Sequence, residues 1–134
     1  MPRCLRINPI SSQPTVLAQS NDAYINVGVT GRLQTFSAAT GTLAINPTNG
    51  SFIRITNLVG AVTVNWTGVP SGYGTRWQVE VRNRGANAVA FNGVTWDGGS
   101  APTLASGTNA SVLSFYSPDG GVTVYGRLEF ATLV

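Results

Sequence analysis

An all-β fold is predicted for this chain by three features: apolar residues alternating with polar ones at a period of two, turn formers recurring roughly every 8 to 12 positions, and no convincing 3.6-residue period. Together they argue for an antiparallel β-sandwich or a jelly-roll-like barrel of about eight to ten short strands, preceded by an extended N-terminal arm. The 134 residues divide into that arm, residues 1–20, and a single β domain, residues 21–134. A domain of this size hides roughly two thirds of the surface its unfolded chain exposes.

The arm is set apart by Pro2, Pro9 and Pro14, which leave no room for a helix or a central strand. It is not a polar tail, because Leu5, Ile7, Ile10, Val16 and Leu17 are apolar and Arg3 and Arg6 add charge. Fully extended it reaches about 70 Å. It can lie along its own domain, cross to a neighbouring subunit or an underlying shell, or stay disordered.

From Asn21 the period becomes two, with Ile25, Val27 and Val29 on one face. Leu33 to Phe36 continues after a Gly31 break, and Thr42 to Ile45 is short. Asn46-Pro-Thr-Asn-Gly50 is the clearest turn of the first half, its Asn-Gly suited to a primed hairpin. Phe52 to Leu58 and Ala61 to Trp66 then alternate and are expected to pair as consecutive antiparallel strands. After the glycine-rich loop Gly68 to Gly74, Thr75 to Arg82 sets Trp77, Val79 and Val81 on one face and Arg76, Gln78, Glu80 and Arg82 on the other. Val89 to Phe91 is a further short strand. Two strands around Pro118-Asp-Gly-Gly121 make a hairpin, since Asp119 can bond its own backbone and the glycines supply φ > 0. Arg127 to Val134 alternates once more and ends apolar, as a docked terminus would.

Charged residues make up only 10% of the chain, against about 25% in typical domains. Such a surface repels copies of itself weakly, which hints at assembly. All eight basic residues are Arg, and they are scattered, so the basic balance does not draw a nucleic-acid footprint. Arg82 and Arg84, the one close pair, read as a solvated strand face or turn. No span approaches the ~20 apolar residues of a membrane helix. The opening residues lack the apolar run of a signal peptide, and a cytosol-like setting is expected.

The chain has no His and no Lys, and Cys4 is its only cysteine. Ser-His, Cys-His and Lys-based chemistry are therefore excluded, as is a cysteine-rich metal site. The acids are Asp22, Glu80, Asp97, Asp119 and Glu129. Asp97 and Asp119 adjoin glycine pairs and read as turn formers, with a calcium ligand role as the alternative. Glu80 and Glu129 sit on polar strand faces, where an Arg on the next strand is the usual partner. Trp66, Trp77 and Trp96 read as core, with an exposed sugar platform as the rival reading. No catalytic, cofactor-binding or metal-ligating residue is expected.

Residues 93–104, Gly93-Val-Thr-Trp-Asp-Gly-Gly-Ser-Ala-Pro-Thr-Leu, the hydrophobic Val112-Leu-Ser-Phe, and Asp119-Gly-Gly followed by Val124-Tyr-Gly resemble a β-rich module recurrent in tailed-bacteriophage virion proteins. Gly60-Ala-Val-Thr-Val-Asn-Trp is similar to its preceding strand. Asp97 departs from the pattern, standing where Pro is expected. The resemblance implies a structural role in tail fibres, head fibres or capsid decoration, commonly as a trimer, and brings no catalytic residues.

Length favours one member of that group, since a fibre needs a long shaft and this chain has room for one knob and one arm. The expectation is a capsid cement or decoration protein, made in the host cytoplasm and sitting as a homotrimer on the outer surface of the virion capsid. It would grip the major capsid protein through Arg3, Leu5, Arg6, Ile7, Ile10, Val16 and Leu17, with no nucleic-acid or membrane partner. The rival within the class is a short fibre, spike or receptor-binding tip that meets host glycans through Trp66 and Tyr73. Another β binding module and a small carbohydrate-active enzyme using one of the five acids are the readings from other classes.

Overall fold

In the computed structural model, residues 30–134 are described. The arm contacts proposed above and the candidate strand around Ile25, Val27 and Val29 lie outside these residues. Nine strands are present among the described residues: β1 Leu33–Ser37, β2 Gly41–Ile45, β3 Phe52–Thr56, β4 Val62–Trp66, β5 Thr75–Arg82, β6 Val89–Phe91, β7 Val94–Trp96, β8 Ala110–Ser117 and β9 Val124–Leu133. The all-β expectation holds.

Their arrangement differs from the antiparallel one expected. The strands form a six-stranded sheet in the order β1-β3-β5-β8-β9-β7 and a three-stranded sheet in the order β2-β4-β6. From β1 to β6 the chain changes sheet at every step. Each circuit brings it back in the same direction, so β1, β3 and β5 pair in parallel, as do β2, β4 and β6. Consecutive strands here are opposite walls of one coil, not partners in a ladder. The hairpin β8–β9 then pairs antiparallel with β5 and closes the stack.

The corners explain why the chain turns this way. Each of the first three strands of the large sheet is followed by a residue in the left-handed region: Ala38 at φ 55°, Asn57 at 53° and Asn83 at 55°. Asparagine tolerates that conformation better than most side chains. Asn57 Nδ2 donates to Ser37 Oγ at 3.2 Å and Asn83 Nδ2 to Asn57 Oδ1 at 2.7 Å, so the corner side chains bond one above another. On the small sheet Asn65, inside β4, and Asn92, just after β6, are bonded one above the other in the same way but without the left-handed backbone, Asn92 Nδ2 donating to Asn65 Oδ1 at 2.7 Å.

The expected hairpin at Asn49-Gly50 is a further correction. Pro47–Asn49 is a short 3-10 turn capped by Asn46, whose Oδ1 accepts from Thr48 N at 2.9 Å. Gln34 Nε2 donates to the carbonyls of Asn46 and Gly50 at 2.8 and 2.9 Å, tying the turn beneath β1. The chain is thus handed from the small sheet back to the large one.

Both sheets face a common core. Ile45, Val62, Val64 and Phe91 come from the small sheet, and Ile53, Ile55, Trp77, Val79, Val81, Leu113, Phe115 and Val124 from the large one. Strand β5 matches its sequence reading residue by residue, with Trp77, Val79 and Val81 buried and Arg76, Gln78, Glu80 and Arg82 on the outer face.

Candidate binding surface

The outward faces of β5, β8 and β9 are in register, so their side chains form cross-strand rows. One row runs Arg76, Tyr116, Tyr125. The next runs Gln78, Ser114, Arg127, and a third brings Glu80, Val112 and Phe130 together. Tyr116 and Tyr125 are near-parallel, 19° between ring planes and 6.3 Å between centroids. They are 45% and 46% exposed, and Phe130 is 55% exposed.

Two loops that touch each other lie beside the Arg76 row, at the start of β5 and at the β8–β9 turn. The hairpin tip is built by Ser117 and Asp119: Ser117 Oγ accepts from Gly121 N at 2.8 Å, and Asp119 Oδ1 accepts from Thr123 N at 2.8 Å. Gly120 and Gly121 have φ of 74° and 86°, so they meet the glycine requirement of the turn. They also permit close approach to the 67–74 loop, since a Cβ on Gly120 would stand 3.0 Å from Ser71 Cα and one on Gly121 3.2 Å from the Val69 side chain. That loop presents Tyr73, 69% exposed, and lays Gly74 against Tyr116, where a Cβ would be 3.7 Å from Cε1.

The charges of this face are largely engaged with one another. Glu80 pairs with Arg54 on the neighbouring strand at 2.6 Å and with Arg82 at 3.3 Å. Glu129 accepts from Ser114 Oγ at 2.7 Å and from Arg127 at 3.2 Å. The Ser114 bond, then Arg127, hold the Glu129 carboxyl below its usual range. Arg76 makes no ion pair among the described residues. These exposed pairs contribute little to stability individually.

Asp119 is the turn former anticipated. The Thr123 amide is the main reason its carboxyl is held below the ordinary aspartate range, followed by the Thr123 side chain, with the Ser117 hydroxyl assisting. A depressed acid contributes stability above its unfolded value that is lost as pH falls through the folded one. Acidification from neutral pH is therefore expected to loosen the hairpin tip, read as loss of Thr123 amide protection, with the Asp119 titration midpoint below that of an unstructured aspartate. Asp119→Asn should remove that acid limb; an unchanged limb would show that another group sets it.

The structure separates the two residues proposed to face glycans. Tyr73 is exposed, whereas Trp66 belongs to an aromatic cluster with Trp77, Phe91 and Phe115 at centroid distances of 5.1, 5.9 and 5.0 Å. The indole N–H of Trp66 is buried and has no hydrogen-bond partner among the described residues, and the residue as a whole is half-buried against the core. Trp96 also packs there, against Phe91 and Phe115. Tyr116, Tyr125 and Arg76 were not singled out by sequence reasoning. Alternation puts Arg76 on the polar face of β5, and around β8 and β9 it signals the tyrosines, since Tyr at an outward position next to a turn is an exposed aromatic.

Arg82 lies on the outer face of β5 and Arg84 in the turn that follows, as expected, but Arg84 is half-buried and not solvated. Its Nε, Nη1 and Nη2 donate to the carbonyls of Ala105, Asn87 and Leu104 at 2.7, 3.0 and 2.8 Å, so it is a clamp between loops. Asp97 opens a short 3-10 turn in which Gly98 has φ 80°. No group of three or more potential metal ligands occurs among the described residues. An apolar cleft of about 170 Å³ lies between β6 and the Ala101–Leu104 segment, with Phe91, Trp96 and Leu113 in its walls. No described helix is long and apolar enough to cross a membrane.

The chain matches no protein-family model, no curated protein and no solved structure.

Proposed function

We propose that this protein is a bacteriophage virion component, a cement or decoration protein that binds the outer capsid surface as a homotrimer. The observation that carries the reading is the way the module-like segments meet. Strand β7 pairs in parallel with the start of β9, so Val94-Thr-Trp96 lies beside Val124-Tyr-Gly126. A Cβ on Gly126 would stand 2.9 Å from each of Phe115, Trp96 and Val94, so the Trp, the hydrophobic strand and the Tyr-Gly of the resemblance close on one glycine. The two-sheet arrangement is read as a sandwich of coiled strands closed by a hairpin.

Function then rests on placement. Arms carrying Leu5, Ile7 and Ile10, with Arg3 and Arg6, latch onto the major capsid protein, and the β domain projects outward. Many weak contacts multiplied by symmetry would stiffen the shell against internal pressure. Deleting residues 1–20 is expected to weaken binding to stripped capsids by about a hundredfold, the scale on which linked contacts raise avidity, while residues 31–134 still fold. Equal binding with and without the arm would refute the latch. Copy number provides a second check, since a shell role requires hundreds per virion and a fibre or tip role a few dozen at most.

A further inference from the structure

We propose that the Arg76, Tyr116, Tyr125 row, with Tyr73 on the adjoining loop, is a binding platform for a carboxylated glycan, one bearing uronic or sialic acid residues. The proposal goes beyond shell binding and is read on the protein alone, so either can fail without the other.

Three observations converge on it. The first is aromatic: Tyr116 and Tyr125 stand side by side on a sheet face, and Tyr73 is more exposed than either. None of the three phenol groups makes a hydrogen bond among the described residues, although other polar groups of this face do. Tyrosine offers an apolar ring face for the C–H face of a pyranose and a hydroxyl for its polar rim.

The second is electrostatic. Arg54, Arg76, Arg82 and Arg127 face outward with Glu80 and Glu129, so cations outnumber anions four to two. Both carboxylates are already bonded to Arg within the sheet. Arg76, opposite Tyr116 in the register, is near enough to Glu129 to help lower that carboxyl but makes no ion pair among the described residues, so its guanidinium can meet an incoming anion. A guanidinium fork suits a carboxylate, which it can hold bidentately.

The third is rigidity. Tyr116 and Tyr125 stand on paired strands, and the loop bearing Tyr73 is braced by the hairpin tip through Gly120 and Gly121. Such a surface loses little conformational entropy on binding. Single-stranded nucleic acid would also stack on tyrosine, but it calls for a groove of cations along its backbone. Here most of the arginines are tied to glutamates.

The test is calorimetric titration of the full chain with oligosaccharides of polyuronate or sialyllactose, against neutral oligosaccharides and an oligothymidylate. Saturable binding is expected for the carboxylated glycans, weakened about tenfold or more by Tyr125→Ala or Tyr116→Ala. Tyr125→Phe should retain most of the affinity. Arg76→Gln should reduce affinity for carboxylated glycans to that for neutral ones and remove its salt dependence. These side chains are exposed, and unchanged thermal unfolding of each variant verifies the fold. Lack of binding to any glycan, or binding indifferent to these substitutions, would overturn the proposal. So would tyrosine-dependent binding of oligothymidylate in preference to glycan, or self-association abolished by Tyr125→Ala without glycan binding, which would make the face a contact between copies.

Discussion

Phe115→Ala is expected to destabilise the protein by about 3–5 kcal/mol, the usual range for removing a buried aromatic side chain. Phe115 is 1% exposed and lies where the two sheets meet. Its ring is 5.0 Å from Trp66, 6.0 Å from Trp77, 5.1 Å from Phe91 and 5.8 Å from Trp96. Three of these residues come from strands other than its immediate neighbour β5, so the loss would be felt in both sheets. The cavity cannot collapse easily, because its walls are large rings on paired strands. Phe115→Leu keeps much of the volume and should cost about 1–2 kcal/mol. Urea unfolding followed by tryptophan fluorescence measures both. A loss below about 1.5 kcal/mol for the alanine variant would mean that the aromatic cluster repacks and does not tie the sheets together.

How much of this could be read in the sequence depends on what each signal encodes. Alternation states which face of a strand is buried, and at β5 it did so at every position from Trp77 to Arg82. The hairpin at Pro118 to Gly121 was likewise legible, because its turn chemistry is local. Alternation does not state which strand is the neighbour, and there the antiparallel expectation failed. The missing signal was a repeat. Ile53-Arg-Ile-Thr-Asn57 corresponds to Val79-Glu-Val-Arg-Asn83, and Val62-Thr-Val-Asn65 to Val89-Ala-Phe-Asn92, each pair one coil apart. The steps are 26 and 27 residues, but Leu33 pairs with Phe52 only 19 residues on. Only two steps of unequal length are present, with Ala38 in the first corner where the others have Asn, so the repeat is easy to miss. The binding surface was harder still. Arg76, Tyr116 and Tyr125 come from three strands, and only the register assembles them.

Arg84→Ala should cost about 2–3 kcal/mol, the scale of hydrogen bonds made by a charged donor to groups with little access to other partners. One guanidinium serves three carbonyls on two segments: that of Asn87, in the turn after β5, and those of Leu104 and Ala105, in the segment before β8. Those segments are also joined by the backbone pair Gly85 and Gly107, bonded in both directions at 3.1 and 3.0 Å, and by the Asn83 amide on the Asn109 carbonyl at 3.1 Å. Next to this pair, Ser111 Oγ accepts from Ala105 N at 2.8 Å and donates to Ala131 O at 2.6 Å. The clamp therefore holds the entrance to β8 and, through Ser111, the end of β9. Arg84→Lys retains the charge but offers a compact ammonium that cannot span three acceptors in a plane, so it should recover less than half of the loss. Hydrogen exchange separates this account from a general loss of stability. In Arg84→Ala the amides of residues 104–107 should lose protection before those of β3 and β5, since local opening precedes global unfolding where contacts are few. Uniform loss across all strands would place the effect in the core; wild-type stability would mean that water replaces the guanidinium without cost.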